Sequence, residues 1–226
     1  MSEWAKNNTG HSSYNQTIVD LGVTTPTYKI MKRAIDVVGA LIGILLLCFF
    51  FILVAVVIKL EDPKGPVFFI QKRVGKNGEI FNMYKFRSMV SDAEEKLNDL
   101  LAMNEVSGAM FKMKNDPRVT RVGRIIRKTS IDELPQLWNV LKGEMSLVGP
   151  RPSLPREVVE YNNYQKQRLL VTPGCTGLWQ VSGRSNVGFE EMVELDIKYI
   201  KNKTIIFDIK IILKTVLVLI GSRDAF

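Results

Sequence analysis

The chain has one histidine and two cysteines among 226 residues. His11 alone cannot build an imidazole metal cluster or a Ser-His-Asp triad, and Cys48 with Cys175 are too few for a disulfide framework. There is no Walker loop and no G-x-G-x-x-G turn, so ATP hydrolysis on a phosphate loop and Rossmann dinucleotide binding lack support. Any metal is therefore expected to be a hard cation held by carboxylates and phosphates. The largest gap is in charge: Val37 to Ile58 contains no Asp, Glu, Lys or Arg, in a chain that is 24% charged with a net +8.

At about 1.5 Å per residue that stretch reaches ~33 Å, long enough for a bilayer core. A polar tail precedes it and Lys59-Leu60-Glu61-Asp62 follows, which excludes a cleavable signal ending in small residues. A buried core helix is the plainer alternative, although soluble helices seldom run so long without charge. Lys29, Lys32 and Arg33 precede the segment, and Lys59, Lys64, Lys72, Arg73 and Lys76 follow it. The positive-inside tendency pulls both flanks to the cytoplasmic face, which favours a helix that enters and returns over one that spans.

The chain divides into a polar tail over residues 1–28, a membrane helix over 29–61 and a catalytic domain over 62–226. Val67-Phe68-Phe69-Ile70 and Glu79 to Phe86, around Lys76-Asn77-Gly78, predict a β-hairpin. Helices are expected over 91–103, 119–128, 133–142, 156–170 and 189–201. The apolar 205–220 stretch, interrupted by Asp208, Lys210 and Lys214, fits a helix at the membrane surface or an ordinary core helix equally well. The fold class is α+β and mainly α: a membrane-embedded re-entrant helix, a small hairpin and amphipathic interfacial helices around a cytoplasmic domain.

Arg127-Lys128-Thr129-Ser130-Ile131-Asp132-Glu133-Leu134-Pro135 sets two adjacent acids at a helix start. A capping box of Ser130 with Glu133 would place Pro135 at the fifth helical position, where it costs about 3 kcal/mol. Starting the helix near Asp132 removes that conflict, and Asp132 could then be an ordinary N-cap. Arg118, Arg121, Arg124, Arg127 and Lys128 precede the acids, and Gly149-Pro150-Arg151-Pro152 fixes a further guanidinium on a rigid turn. An ionised Asp among arginines suits an aspartyl nucleophile in phosphoryl transfer. Glu133 would position a divalent cation or handle a proton, and Mg²⁺ suits a site of one or two carboxylates plus substrate phosphates. In Pro173 to Arg184, glycines permit close approach, Gln180 offers amide contacts to a base or sugar, and Arg184 offers charge, while Trp179 reads as core.

The strings Lys85-Phe86-Arg87-Ser88-Met89, Thr129 to Leu137, Asn139 to Gly143, Gly149 to Pro152 and Pro173 to Gly177 resemble the bacterial sugar transferases, the monotopic phosphoglycosyl transferases. The likeness runs from about Lys29 to Asp208. It implies transfer of a hexose 1-phosphate from a UDP-sugar to undecaprenyl phosphate with release of UMP, at the cytoplasmic face of the inner membrane. It also implies that Asp132 is the nucleophile of a covalent intermediate and that Glu133 completes the catalytic pair. Mg²⁺ is the implied cofactor, with Asp132 and Glu133 as its expected ligands. Lys85, Arg87, Arg127, Arg151, Gln180, Arg184 and Asp196 are the expected substrate-binding residues. The expected partners are the UDP-sugar and undecaprenyl phosphate, with a second copy of the chain as a further candidate and no nucleic acid. Family members commonly break the membrane helix at a Ser-Pro pair, whereas here Cys48-Phe49-Phe50-Phe51 stands in that place. A membrane-tethered binder of anionic polymers is the rival, and adjacent acids fit a glycosidase poorly.

Overall fold

A computed structural model describes residues 25–93, 95–100, 113, 115–183 and 187–221. Helix α1 (Pro26–Glu61) runs unbroken for 36 residues, about 54 Å at 1.5 Å per residue. Thr25 caps it by accepting the Tyr28 N–H, and Pro26 occupies the first turn, where its missing donor costs nothing. Its two faces differ completely. Val38, Leu41, Leu45, Phe49, Ile52, Val56 and Leu60 form an exposed apolar stripe, whereas Asp36, Ala40, Val54 and Ile58 are buried. Only 11% of its most apolar stretch is covered, so α1 is not a core helix.

The hairpin is present as expected, with β1 (Phe68–Val74) antiparallel to β2 (Ile80–Phe86) and Phe68 opposite Phe86. Asn77 and Gly78 close it with positive φ angles of 55° and 83°, which Asn and Gly tolerate. The remaining elements are α2 (Leu97–Leu100), α3 (Arg121–Lys128), a 3₁₀ turn (Ile131–Glu133), α4 (Gln136–Lys142), β3 (Ser146–Val148), α5 (Pro155–Val159), α6 (Asn163–Lys166), β4 (Gly174–Thr176), α7 (Leu178–Ser182), α8 (Phe189–Asn202) and α9 (Ile205–Gly221).

Three cores hold these elements. Met192, Val193, Ile197 and Ile200 of α8 pack with Val148, Tyr161, Val181 and Ile211 in the largest. Ala40 of α1 joins Phe81, Met83, Val140 and Met145 in the second, and Val54 and Ile58 join Phe86 and Ile126 in the third. The same domain therefore holds α1 at both ends, each buried aliphatic contributing about 1.5–3 kcal/mol. Polar contacts reinforce the grip: Asp36 accepts from the Leu147 N–H and Ser146 hydroxyl, and Glu61 accepts from the Arg121 and Val122 N–H groups.

Three expectations need correction. The single helix over 156–170 is instead α5, α6 and a 3₁₀ turn (Gln167–Leu170), because Asn162 and Gln165 cap each other reciprocally and start a new helix there. The expected strands do not include the parallel pair β3–β4, which sets Ser146 opposite Gly174 and Val148 opposite Thr176. Of the helix over 91–103, only α2 is helical among the described residues, and residues 101–103 lie outside them. Residues 1–24 of the expected tail also lie outside the described residues, and α1 begins three residues before the expected boundary. Helix α9 combines its two readings: Asp208 and Ile211 are buried, while Ile206, Leu213, Val216 and Leu217 are exposed.

Candidate active site

Asp132 and Glu133 share the 3₁₀ turn between α3 and α4. Ser130 ends α3 in a left-handed conformation at φ 56° and makes no side-chain cap. For a residue with a Cβ that conformation costs about 1–2 kcal/mol, and here it turns the chain so that both acids lead into α4. Pro135, at φ −61°, immediately precedes α4, so its missing N–H breaks no bond. The capping-box alternative is thereby removed.

Asp132 is 7% exposed, and its carboxylate accepts from its own backbone N–H and makes no hydrogen bond or ion pair with another described residue. Burial pushes its pKa up to about 6, with Lys85 opposing, Glu133 adding to the rise and Arg127 opposing again. Lys85, on β2, donates from Nζ to Glu133 Oε1 at 2.6 Å. Burial alone would raise the Glu133 pKa, but Lys85, then Arg73 and Arg151, reverse this to a net lowering. The two neighbouring acids are thus driven apart, a desolvated base beside a firmly ionised partner. Arg151 projects from the 149–152 turn and is steadied by Glu157 at 3.1 Å, itself 1% exposed.

The expected residues separate into two groups. Lys85, Arg127 and Arg151 gather their charges on the acid pair. Arg87 does not: its guanidinium is 6% exposed and donates to Asp62 Oδ2 at 2.9 Å and to the Asp62 carbonyl at 3.0 Å, fixing the exit from α1. Asp196 is 1% exposed and paired with Arg168 at 2.8 Å, and the charge of Arg151 also reaches it. Gln180 donates weakly to the Cys175 carbonyl at 3.4 Å and leaves its buried Oε1 without a partner. Arg184 lies outside the described residues. Arg118 is bound to Asp116 at 2.7 Å. The glycines of 173–184 also have a different purpose: a Cβ at Gly174 would stand 2.0 Å from the Gly149 nitrogen, so the close approach is between two backbones. Trp179 packs against the largest core as expected.

Arg73, one of the charges expected to flank the membrane helix, is 7% exposed and its charge reaches Glu133. Gln71 and Arg73 share the inner face of β1 while Ile70 and Lys72 are exposed, so the polarity of the strand does not reveal which face is buried. Among the described residues no cluster of three or more acids, His or Cys is arranged for a metal. Asp132 and Glu133 alone still match the donor set of Mg²⁺, which takes few carboxylates when phosphates complete its shell.

The profile of the bacterial sugar transferase family matches residues 27–222. Galactosyl transferase CpsE of Streptococcus agalactiae is 52% identical over 198 residues, 87% of this chain and 44% of the relative. The undecaprenyl-phosphate galactose phosphotransferase of Salmonella typhimurium is 44% identical over 202 residues, 88% of this chain and 42% of the relative. The exopolysaccharide production protein ExoY of Rhizobium meliloti is 39% identical over 211 residues, covering 92% of this chain and 93% of its own. The chain thus spans under half the length of the first two and nearly all of the third. A match that takes in α1, the acid pair and α9 alike leaves one conclusion: the chain belongs to the bacterial sugar transferase family.

Proposed function

We propose that this chain transfers a hexose 1-phosphate from a UDP-sugar to undecaprenyl phosphate through a covalent intermediate on Asp132. The observation that carries the reading is an unpaired, desolvated Asp132 among the charges of Lys85, Arg127 and the Arg151-bearing turn, on a domain fastened along an apolar-striped helix. In the first displacement the Asp132 carboxylate attacks the sugar-bearing phosphorus, the bond to the bridging oxygen breaks, and UMP departs with that oxygen. In the second, a phosphate oxygen of undecaprenyl phosphate attacks the same phosphorus and Asp132 leaves as a carboxylate. Burial raises the basicity of Asp132 and strips it of water, which favours attack. The surrounding cations hold phosphate oxygens where charge accumulates. Mg²⁺ bound by Asp132 and Glu133 would neutralise phosphate charge.

Support for the membrane placement comes from α1. Asp36 and Ile58 lie about 33 Å apart along the axis, and both pack on the one domain while the opposite stripe is bare. A helix crossing to the far side of a bilayer would lose one of these contacts, so both ends belong on the face that carries the domain. Basic residues at both ends support the cytoplasmic face as that side.

Asp132→Asn in the detergent-solubilised protein, given UDP-sugars and undecaprenyl phosphate, should abolish UMP release, with kcat lower by at least about 10³-fold and the fold intact. Wild-type levels of UMP from that variant would overturn the assignment.

A further inference from the structure

One side chain stitches the hairpin to the arginine turn. Gln71 Oε1 accepts from Arg73 Nε at 3.1 Å and Nη2 at 2.6 Å, while the Pro152 carbonyl accepts from Nη1 at 2.9 Å. At the next residue the Val74 N–H donates to the Ser153 carbonyl at 2.9 Å. Pro152 directly follows Arg151, so the clamp acts on the peptide beside that guanidinium. Packing alone does not account for an arginine here. Burial and then the charge of Arg151 draw the Arg73 pKa down to about 9, and an apolar side chain would fill the space without either penalty.

We propose that Arg73 is a positioning residue for the transfer, its planar fork holding the 149–153 turn so that Arg151 is presented at a fixed distance from the acid pair. The inference rests on the transfer reading above. The fork matters because lysine keeps the charge but offers a single nitrogen, which cannot bridge Gln71 and Pro152 in one plane. Misplacing a positioning group by about 1 Å can cost about 100-fold in rate without contact to the reacting atoms.

The test measures UMP release and thermal unfolding of the full chain in detergent with undecaprenyl phosphate. Arg73→Lys should lower kcat about 100-fold and change KM for the UDP-sugar by less than about threefold, while the protein still unfolds cooperatively. Gln71→Leu, which leaves the Arg73 charge in place, should lower kcat about tenfold by freeing the fork. In an Arg151→Lys background, Arg73→Lys should cost less than about threefold, because the residue acts through Arg151. Losses that multiply in the double variant overturn the proposal. So does an Arg73→Lys enzyme within about threefold of wild type, or one whose loss only tracks the fraction unfolded. No UMP from wild-type protein with any UDP-sugar would instead overturn the transfer reading, and the positioning role with it.

Discussion

Asp132 and Asp196 are both buried, and burial pushes both up to about 6, yet the molecule treats them in opposite ways. Asp196 is saturated on one side: Arg168 Nε donates to it at 2.8 Å, and the same guanidinium donates to the Tyr161 hydroxyl at 2.8 Å, which in turn donates to Ser153 at 2.9 Å. Both charges of that pair are 1% exposed. Asp132 has cations within electrostatic reach, a hydrogen bond from its own backbone N–H, and no hydrogen bond or ion pair with any other described residue. Asp196 is tied to the fold by its ion pair although its Oδ1 stays without a partner, whereas no ion pair to a described residue ties Asp132 down.

The same Asp→Asn substitution should therefore have opposite consequences at the two sites. At Asp132 it removes turnover, the largest effect expected, and leaves the unfolding transition unchanged or higher, since a desolvated charge is replaced by a neutral group. Next in size is removal of divalent cation. EDTA should bring UMP release to background, and added Mg²⁺ should restore it.

At Asp196, Asn strands the Arg168 charge in the core. Denaturant unfolding should report a loss of about 3–5 kcal/mol, with activity per folded molecule nearly kept. A silent Asp196→Asn, or an unfolded Asp132→Asn, would break the contrast between the two carboxylates.

The smallest effect is a pH dependence. Because the Asp132 pKa is raised and the ionised form attacks, kcat/KM should be flat above about pH 7 and fall about tenfold per unit below about 6. In the Lys85→Met variant, removal of the cation that opposes burial should move this limb to higher pH. A limb that stayed in place would separate Lys85 from Asp132.

Much of the fold could be read along the chain because it rests on local periodicity. The uncharged run made α1, alternation with Lys76-Asn77-Gly78 made the hairpin, and Pro135 displaced the helix start so that the acids fell on a preceding turn. The reading failed where partners are distant in sequence. Arg87 and Asp62, Arg168 and Asp196, and Gly149 and Gly174 are each 25 or more residues apart and meet only after the chain has folded. Arg87 and Asp196 are expected at the site from the family resemblance, and only the folded chain adds that Asp62 holds the first and Arg168 the second.

By itself the sequence determined the elements and the stock of charges: a long apolar helix, a hairpin, an acid pair with arginines before and after it. Hydrophobic spacing and proline geometry act over a few residues and need no partner. Tertiary structure alone decided which charges remain free for a ligand. A charge is claimed for the fold where a buried partner takes it and kept for chemistry where it still acts on the acid pair, as Arg151 does although Glu157 holds it, and both depend on distances in space that no local pattern encodes. By that rule Asp62 claims Arg87, Asp196 claims Arg168, and Asp132 is left unclaimed.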